Sequence, residues 1–169
     1  YPQQGKPVQM MHNGLKVLAG GYYGSWMSEI IENLKGHHEP QEELIFHKIL
    51  ERLNNQPGSM IELGSFWSYY SLWFLKQNPL QRQAICLEAD PIHLQIGQKN
   101  AQINQLSPVF VNGFAGETVS EKPLAFPTEK SGVISIHRYS VDHLIHQHQL
   151  DRVDILHIDT QGAEFSVLK

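Results

Sequence analysis

The sequence predicts an α/β protein in which a mostly parallel, twisted sheet is flanked by helices. Apolar runs of strand length occupy 60–63, 83–87, 109–111 and 153–159, with helix-like segments between the first three. The first run passes through Gly64 directly into an aromatic stretch, 66–74, long enough for a helix packed on the strand. Two acids, Glu62 and Glu88, stand at the ends of the first two runs. A strand, a glycine turn and a helix in succession place free N–H groups and a positive helix-dipole end at the strand's carboxyl end. Open α/β sheets bind nucleotide-like ligands there.

Glu62 discriminates among such ligands. A dinucleotide site calls for Gly-x-Gly-x-x-Gly, whereas this chain offers Gly64 alone, with Phe66 and Ser68 where further glycines would stand. A carboxylate there repels pyrophosphate and suits a ligand carrying positive charge, such as the amino group and sulfonium of S-adenosylmethionine. The plain structural alternative is a strand-end Glu capping the following turn. Glu88, ending the second strand of a βαβ unit, is placed to accept hydrogen bonds from both ribose hydroxyls of an adenosine ligand.

The chain as a whole sets bounds. Its 169 residues fit one domain with a core of its own, and 41% hydrophobic with 18% charged residues is an ordinary globular composition. A formal net charge of −4 gives no electrostatic basis for a nucleic-acid partner. The single cysteine, Cys86, lies within an apolar run and reads as a buried, inert thiol. No apolar run reaches membrane-spanning length and no basic-then-apolar leader is read, so a cytoplasmic location without a membrane partner is expected.

In chain order, 1–58 reads as an N-terminal arm with helices and 59–169 as the ligand-binding core. Residues 1–25 have little periodicity and read as an irregular arm, followed by a short helix at 25–34. Pro40, Glu42 and Glu43 open a longer helix whose apolar face includes Leu44, Ile45, Phe46, Ile49, Leu50 and Leu53. His37, His38 and Glu39 read as a solvated turn or a lid over the ligand; no metal site is assigned. Asn78-Pro79 breaks the aromatic helix, and Pro91 starts another that runs to about 103. Asn112-Gly113-Phe114-Ala115-Gly116 suits a loop packed on a flat ring such as adenine, or an ordinary turn. Residues 117–132 form a polar excursion, 133–137 a strand, 141–148 a short helix, and 160–168 the start of another. His143, His146 and His148 read as exposed residues without a function.

Three stretches now carry a family resemblance. Glu62-Leu63-Gly64-Ser65-Phe66-Trp67-Ser68-Tyr69-Tyr70-Ser71 resembles an acid-x-Gly-Ala-Asn-x-Gly-Tyr-Tyr-Ser motif, and Leu87-Glu88-Ala89-Asp90-Pro91 resembles Phe-Glu-Pro-x-Pro. Tyr139-Ser140-Val141-Asp142-His143-Leu144, with Val153-Asp154-Ile155-Leu156-His157-Ile158-Asp159-Thr160-Gln161-Gly162-Ala163-Glu164, resembles Leu-Asp-x-Leu … Asp-x-x-Lys-Ile-Asp-x-Glu-Gly-Ala-Glu. These are motifs of the FkbM-type S-adenosylmethionine-dependent methyltransferases. The chain departs from them at Ser65, Phe66, Ser68, His157 and Gln161.

The resemblance implies a Rossmann-like class I methyltransferase fold, truncated after its fourth strand, that methylates hydroxyls of sugars or other natural products. S-adenosylmethionine is the expected cofactor, held by Glu62, Gly64, Ser65, Phe66, Ser68, Glu88, Ala89, Asn112 and Ala115. Asp159 is the first choice for the group that takes the hydroxyl proton, with His157 and His38 behind it. The partner is a small-molecule hydroxyl acceptor. An S-adenosylmethionine-binding module without activity and a nucleotide-dependent oxidoreductase are the other two readings. The chain is expected to be part of a longer protein, with the fourth strand's open edge covered by a second copy in a homodimer or by 117–137 folded back as a hairpin.

Overall fold

The computed structural model describes residues 8–168. Four parallel strands form the central sheet: β3 (Gly58–Leu63), β4 (Arg82–Glu88), β5 (Val109–Asn112) and β10 (Ile155–Ile158), in the order β10-β3-β4-β5. The chain steps outward from β3 through β4 to β5, then returns to the other side of β3 as β10. That reversal opens a crevice between the carboxyl ends of β3 and β10, the place where open α/β sheets hold ligands. The predicted fold class and all four predicted strands are present.

Strand β3 is buried on both faces, as parallel strands under helices are. Met60 belongs to one core with Phe46, Leu50, Trp73 and Phe74; Ile61 and Leu63 belong to a second core with Ile85, Leu87, Leu144 and Leu150. Alternation therefore puts Glu62 on the Met60 face. Its register partner on β10 is His157, so the two side chains are cross-strand neighbours.

Helix α3 (Tyr69–Gln77) is buried from Tyr69 through Leu75, an all-round apolar helix packed between sheet and N-terminal elements. It starts three residues later than the aromatic run suggests, because Phe66 and Ser68 take left-handed φ values of 42° and 60°. Helix α4 (Pro91–Asn104) begins as its sequence signals require. Asp90 caps it by accepting from the Ile92 N–H at 2.9 Å, and Pro91 occupies the first turn.

The stretch read as an irregular arm contains a hairpin. Strands β1 (Val8–Met10) and β2 (Lys16–Leu18) pair antiparallel, and Met11, Leu15 and Val17 enter the core. Among the described residues the other edge of β2 is met by side chains rather than a strand: Asn104 exchanges hydrogen bonds with Lys16, and Asn100 Oδ1 accepts from the Leu18 N–H at 2.8 Å. Such pairing depends on α4, distant in the chain, so no local periodicity reveals it. Helix α1 (Ser25–Asn33) matches its predicted span. Helix α2 (Pro40–Leu53) has Glu42 and Glu43 in its first turn but leaves Leu44 and Ile45 exposed; Phe46 and Leu50 are its fully buried apolar contacts.

Beyond β5 come β6 (Phe114–Ala115), the antiparallel pair β7 (Leu124–Thr128) and β8 (Gly132–Ile136), β9 (Arg138–Tyr139), helix α5 (Val141–Gln147) and, after β10, the short helix α6 (Glu164–Val167). The segment 117–137 does fold back as a hairpin, but β7 and β8 pair only with each other among the described residues. Asp90, which follows β4 and is separated from β10 by β3, anchors the turn of that hairpin. The expectation that it covers the β10 edge is therefore corrected. No helix of the described residues is long and apolar enough to cross a membrane.

Candidate active site

A cavity of about 610 Å³ lies over the carboxyl ends of the sheet, lined from β3, β4 and β10 and roofed by Tyr22, Tyr23 and the β7 end. This is the size range of small-molecule sites. Gly64 makes the crevice possible. Its φ is +78°, and a Cβ there would lie 1.9 Å from the Asp159 carbonyl oxygen, so only glycine lets the β3 and β10 ends approach this closely. Both Gly64 and Ser65 donate their N–H groups to the Leu87 carbonyl, at 2.9 and 3.0 Å, which ties the turn to β4.

Phe66 and Ser68 stand in left-handed backbone positions where the resembling motif has Asn and Gly. Those residue types adopt that conformation readily, whereas other L-residues give up about 1–2 kcal/mol. Neighbours hold the turn in place. The Phe66 N–H donates to Glu88 Oε2 at 2.8 Å, and its ring stacks on His93 at 3.7 Å between centroids. Ser68 is fully buried, its hydroxyl against Gly97, where a Cβ would come within 2.5 Å.

Glu88 lines the cavity and is almost fully buried. Its other carboxylate oxygen accepts the Asp90 N–H at 2.8 Å, leaving further lone pairs for a ligand. Burial pushes its pKa up, against the pull of those two backbone N–H groups. Glu62 also lines the cavity, with Oε2 accepting the Ser71 N–H in the first turn of α3 at 3.1 Å. It thus does cap the helix and faces the ligand space at once. Burial raises its pKa, and His157, with Nδ1 3.9 Å away, opposes the shift.

The three expected proton acceptors differ in surroundings. Asp159 ends β10 on the cavity wall, its carboxyl raised by burial and then by Glu39 and Glu42, with His157 pulling the other way. His157 reaches Glu42 Oε1 through Nε2 at 2.8 Å, while its buried Nδ1 has no hydrogen-bond partner among the described residues. His38 is buried among Trp67, Tyr69 and Tyr22, with Nδ1 2.7 Å from Glu43 Oε1 and Nε2 3.3 Å from Glu39. Burial pulls its pKa down, but hydrogen bonds to Glu39 and Glu43 outweigh this and the net shift is upward. Both ring nitrogens are thus engaged by carboxylates of the chain itself.

Of the residues expected to hold a cofactor, Glu62, Gly64, Ser65, Phe66, Glu88, Ala89 and Ala115 line the cavity. Ser68 and Asn112 do not. Ser68 shapes the turn from within, and Asn112 donates through Nδ2 to the Glu88 and Ala89 carbonyls, both at 2.9 Å, fixing the end of β4. Buried polar atoms without partners among the described residues gather here: Ser65 Oγ, Tyr70 OH, His93 Nε2 and His157 Nδ1 all belong to lining residues. A polar ligand in the cavity gives such groups the hydrogen bonds that burial otherwise denies them.

Sequence reasoning missed part of the wall. Tyr22 and Tyr23 come from the segment read as an arm; Tyr22 stacks on Trp67 at 4.4 Å, and Tyr23 meets Phe66 edge-on. The end of β7 supplies Phe126, Pro127, Thr128 and Glu129, and Phe126 stacks on Phe114. Asp90 latches this wall: Oδ2 accepts the Lys130 and Ser131 N–H groups, and Oδ1 accepts the Ser131 hydroxyl at 2.6 Å. These bonds hold the Asp90 carboxyl at about 2, against the opposing effect of its burial. Only the Asp-Pro helix start hinted at its importance.

Asp90→Ala is expected to lower stability by about 2–3 kcal/mol, through a lost cap and lost charge-assisted hydrogen bonds. That corresponds to a Tm lower by roughly 5–10 °C, read by calorimetry at neutral pH. Because the folded pKa lies below the unfolded value, this contribution is complete above about pH 4 and disappears as pH falls toward 2. A variant that melts with the parent at neutral pH removes the latch.

The motifs named above resemble one family, and a family model agrees. The methyltransferase FkbM domain matches residues 35–169. No curated protein matches the chain. Among solved structures, the chain is similar to a putative O-methyltransferase from Klebsiella pneumoniae, at 21% identity and a TM-score of 0.36 over 40% of this chain. It covers 32% of that protein's length. With the family match extending over well more than half of the sequence, this chain belongs to the FkbM methyltransferase domain family.

Proposed function

We propose that the chain is an S-adenosylmethionine-dependent O-methyltransferase acting on a hydroxyl of a sugar or another small natural product. The observation that carries this reading is the charge of the cavity. Glu39, Glu62, Glu88, Asp90, Glu129 and Asp159 all line it, around the crevice between β3 and β10. Such a wall favours a cationic ligand and disfavours the pyrophosphate of a nicotinamide cofactor.

Glu88 would hold the ribose hydroxyls, Glu62 the amino group, and Gly113 to Ala115 the adenine. When bound, S-adenosylmethionine supplies a methyl group already activated on a sulfonium. The work left to the chain is positioning, exclusion of water and removal of one proton. Tyr22, Tyr23, Phe66 and Trp67 give the acceptor an aromatic wall and limit solvent entry. Asp159 takes the hydroxyl proton at its carboxylate, and the acids that raise its pKa make it a stronger base than an isolated Asp. His157, held by Glu42 beside Glu62, orients the floor of the site.

The test is binding of S-adenosylhomocysteine by calorimetry, with Glu88→Ala as comparison. Saturable binding is expected, weakened in the variant by about 1–3 kcal/mol through loss of hydrogen bonds to a charged acceptor. Absence of binding, or stabilisation by NAD instead, overturns the reading. Binding without transfer to any hydroxyl in a broad acceptor panel turns it into that of a binding module.

A further inference from the structure

Outside the cofactor cavity, three elements bring metal-binding side chains to one point. His12 lies between β1 and β2, His37 in the turn before α2, and Glu43 on the first turn of α2. His12 Nε2 stands 3.3 Å from Glu43 Oε2, and His37 Nδ1 contacts the same oxygen. The two imidazoles stack at 3.8 Å between centroids, and the three ligand atoms all lie within 4.8 Å of one another. None of the three lines the cofactor cavity.

We propose that His12, His37 and Glu43 bind one divalent transition-metal ion of the zinc type. Two imidazole nitrogens and one carboxylate oxygen are a donor set zinc accepts, and one that magnesium and calcium, which prefer oxygen, do not. Ligand atoms about 2.0–2.2 Å from a tetrahedral ion stand about 3.4 Å apart. The His12–Glu43 separation already meets this; His37 Nδ1, in direct contact with the same oxygen, has to draw back from it, and the stacked rings have to tilt so that both nitrogens face one point.

The surroundings are built for it. The His12 N–H donates to the Gly36 carbonyl at 3.1 Å, and a Cβ on Gly36 would lie 2.4 Å from the His12 nitrogen, so the segments bearing the two histidines are fixed against each other. Glu43 is buried, and its other oxygen accepts the His38 N–H at 3.1 Å and meets His38 Nδ1 at 2.7 Å. That contact orients Oε2 toward the histidines, as second-layer partners orient metal ligands. A separate cavity of about 500 Å³, lined by His12, Asn13, His37, His47 and Trp73 among others, opens onto this point and leaves room for a water as fourth ligand. The ion would clip the N-terminal hairpin to α2.

Zn²⁺ and Co²⁺ titrations of the chelator-treated chain test this without reference to methyl transfer. One ion per chain, the visible d–d band of four-coordinate Co²⁺ and a Tm raised by roughly 5–10 °C at Zn²⁺ about 100-fold above its Kd are expected. The His12→Ala/His37→Ala variant should lose at least ~10-fold in affinity, whereas replacing His143, His146 and His148 together should not. Should the double variant fail to melt cooperatively without metal, His12→Ala alone decides by the same measure. No saturable binding at one ion per chain, or unchanged affinity in the variant, overturns the proposal.

Discussion

Gly64→Ala is expected to lose about 2–5 kcal/mol of stability, and with it the crevice. The estimate combines left-handed strain of about 1–2 kcal/mol with overpacking of about 1–3 kcal/mol. The Cβ would meet the Asp159 carbonyl oxygen at 1.9 Å, and that atom is backbone, so no rotamer change relieves the contact. The carboxyl ends of β3 and β10 must separate instead. Thermal melting should show a Tm lower by roughly 5–20 °C. Protection by S-adenosylhomocysteine should vanish with it. A variant melting within about 2 °C of the parent would show that the two strand ends part freely.

Asp159→Asn is expected to lower turnover by about 10²-fold or more, the usual scale of general base catalysis, while S-adenosylhomocysteine affinity stays within a few fold. The amide keeps the size and the cavity wall but cannot take a proton. The pH profile gives an independent reading. A base acts only when ionised, so kcat/KM falls as pH drops through the Asp159 pKa. Burial, Glu39 and Glu42 raise that pKa, so the acid limb should lie above the ordinary Asp range near ~3.9 and be absent from the variant. Full turnover in the variant, or an unchanged acid limb, excludes Asp159 as the base.

Much of the fold was legible because parallel strands buried on both faces write themselves as apolar runs. Residues 60–63 and 83–87 needed no tertiary information, and the Asp90-Pro91 and Pro40 helix starts carried their own signals. Glu62, Gly64, Glu88 and Asp159 could be placed at strand ends for the same reason. In a parallel sheet all carboxyl ends face one way, so strand-end residues converge on one crevice.

The rest depended on contacts between segments far apart in the chain. The β1–β2 hairpin has little periodicity of its own, because Asn100 and Asn104 on α4 satisfy the edge of β2. Phe126 and Glu129 reach the cavity only because Asp90, some 40 positions earlier, holds the turn between β7 and β8. Tyr22 roofs the site by stacking on Trp67, a pairing that hydrophobic pattern cannot express.

By itself the sequence determined the family, the parallel sheet and the acids at its carboxyl ends, since each is written in residues adjacent along the chain. Only the tertiary structure decided which of those acids are engaged and how. It gave His38 to Glu39 and Glu43, set His157 across from Glu62, and brought His12 to His37. The physical reason is that protonation state, hydrogen-bond partnership and ligand geometry belong to distances between side chains, and spacing along the chain does not fix those distances.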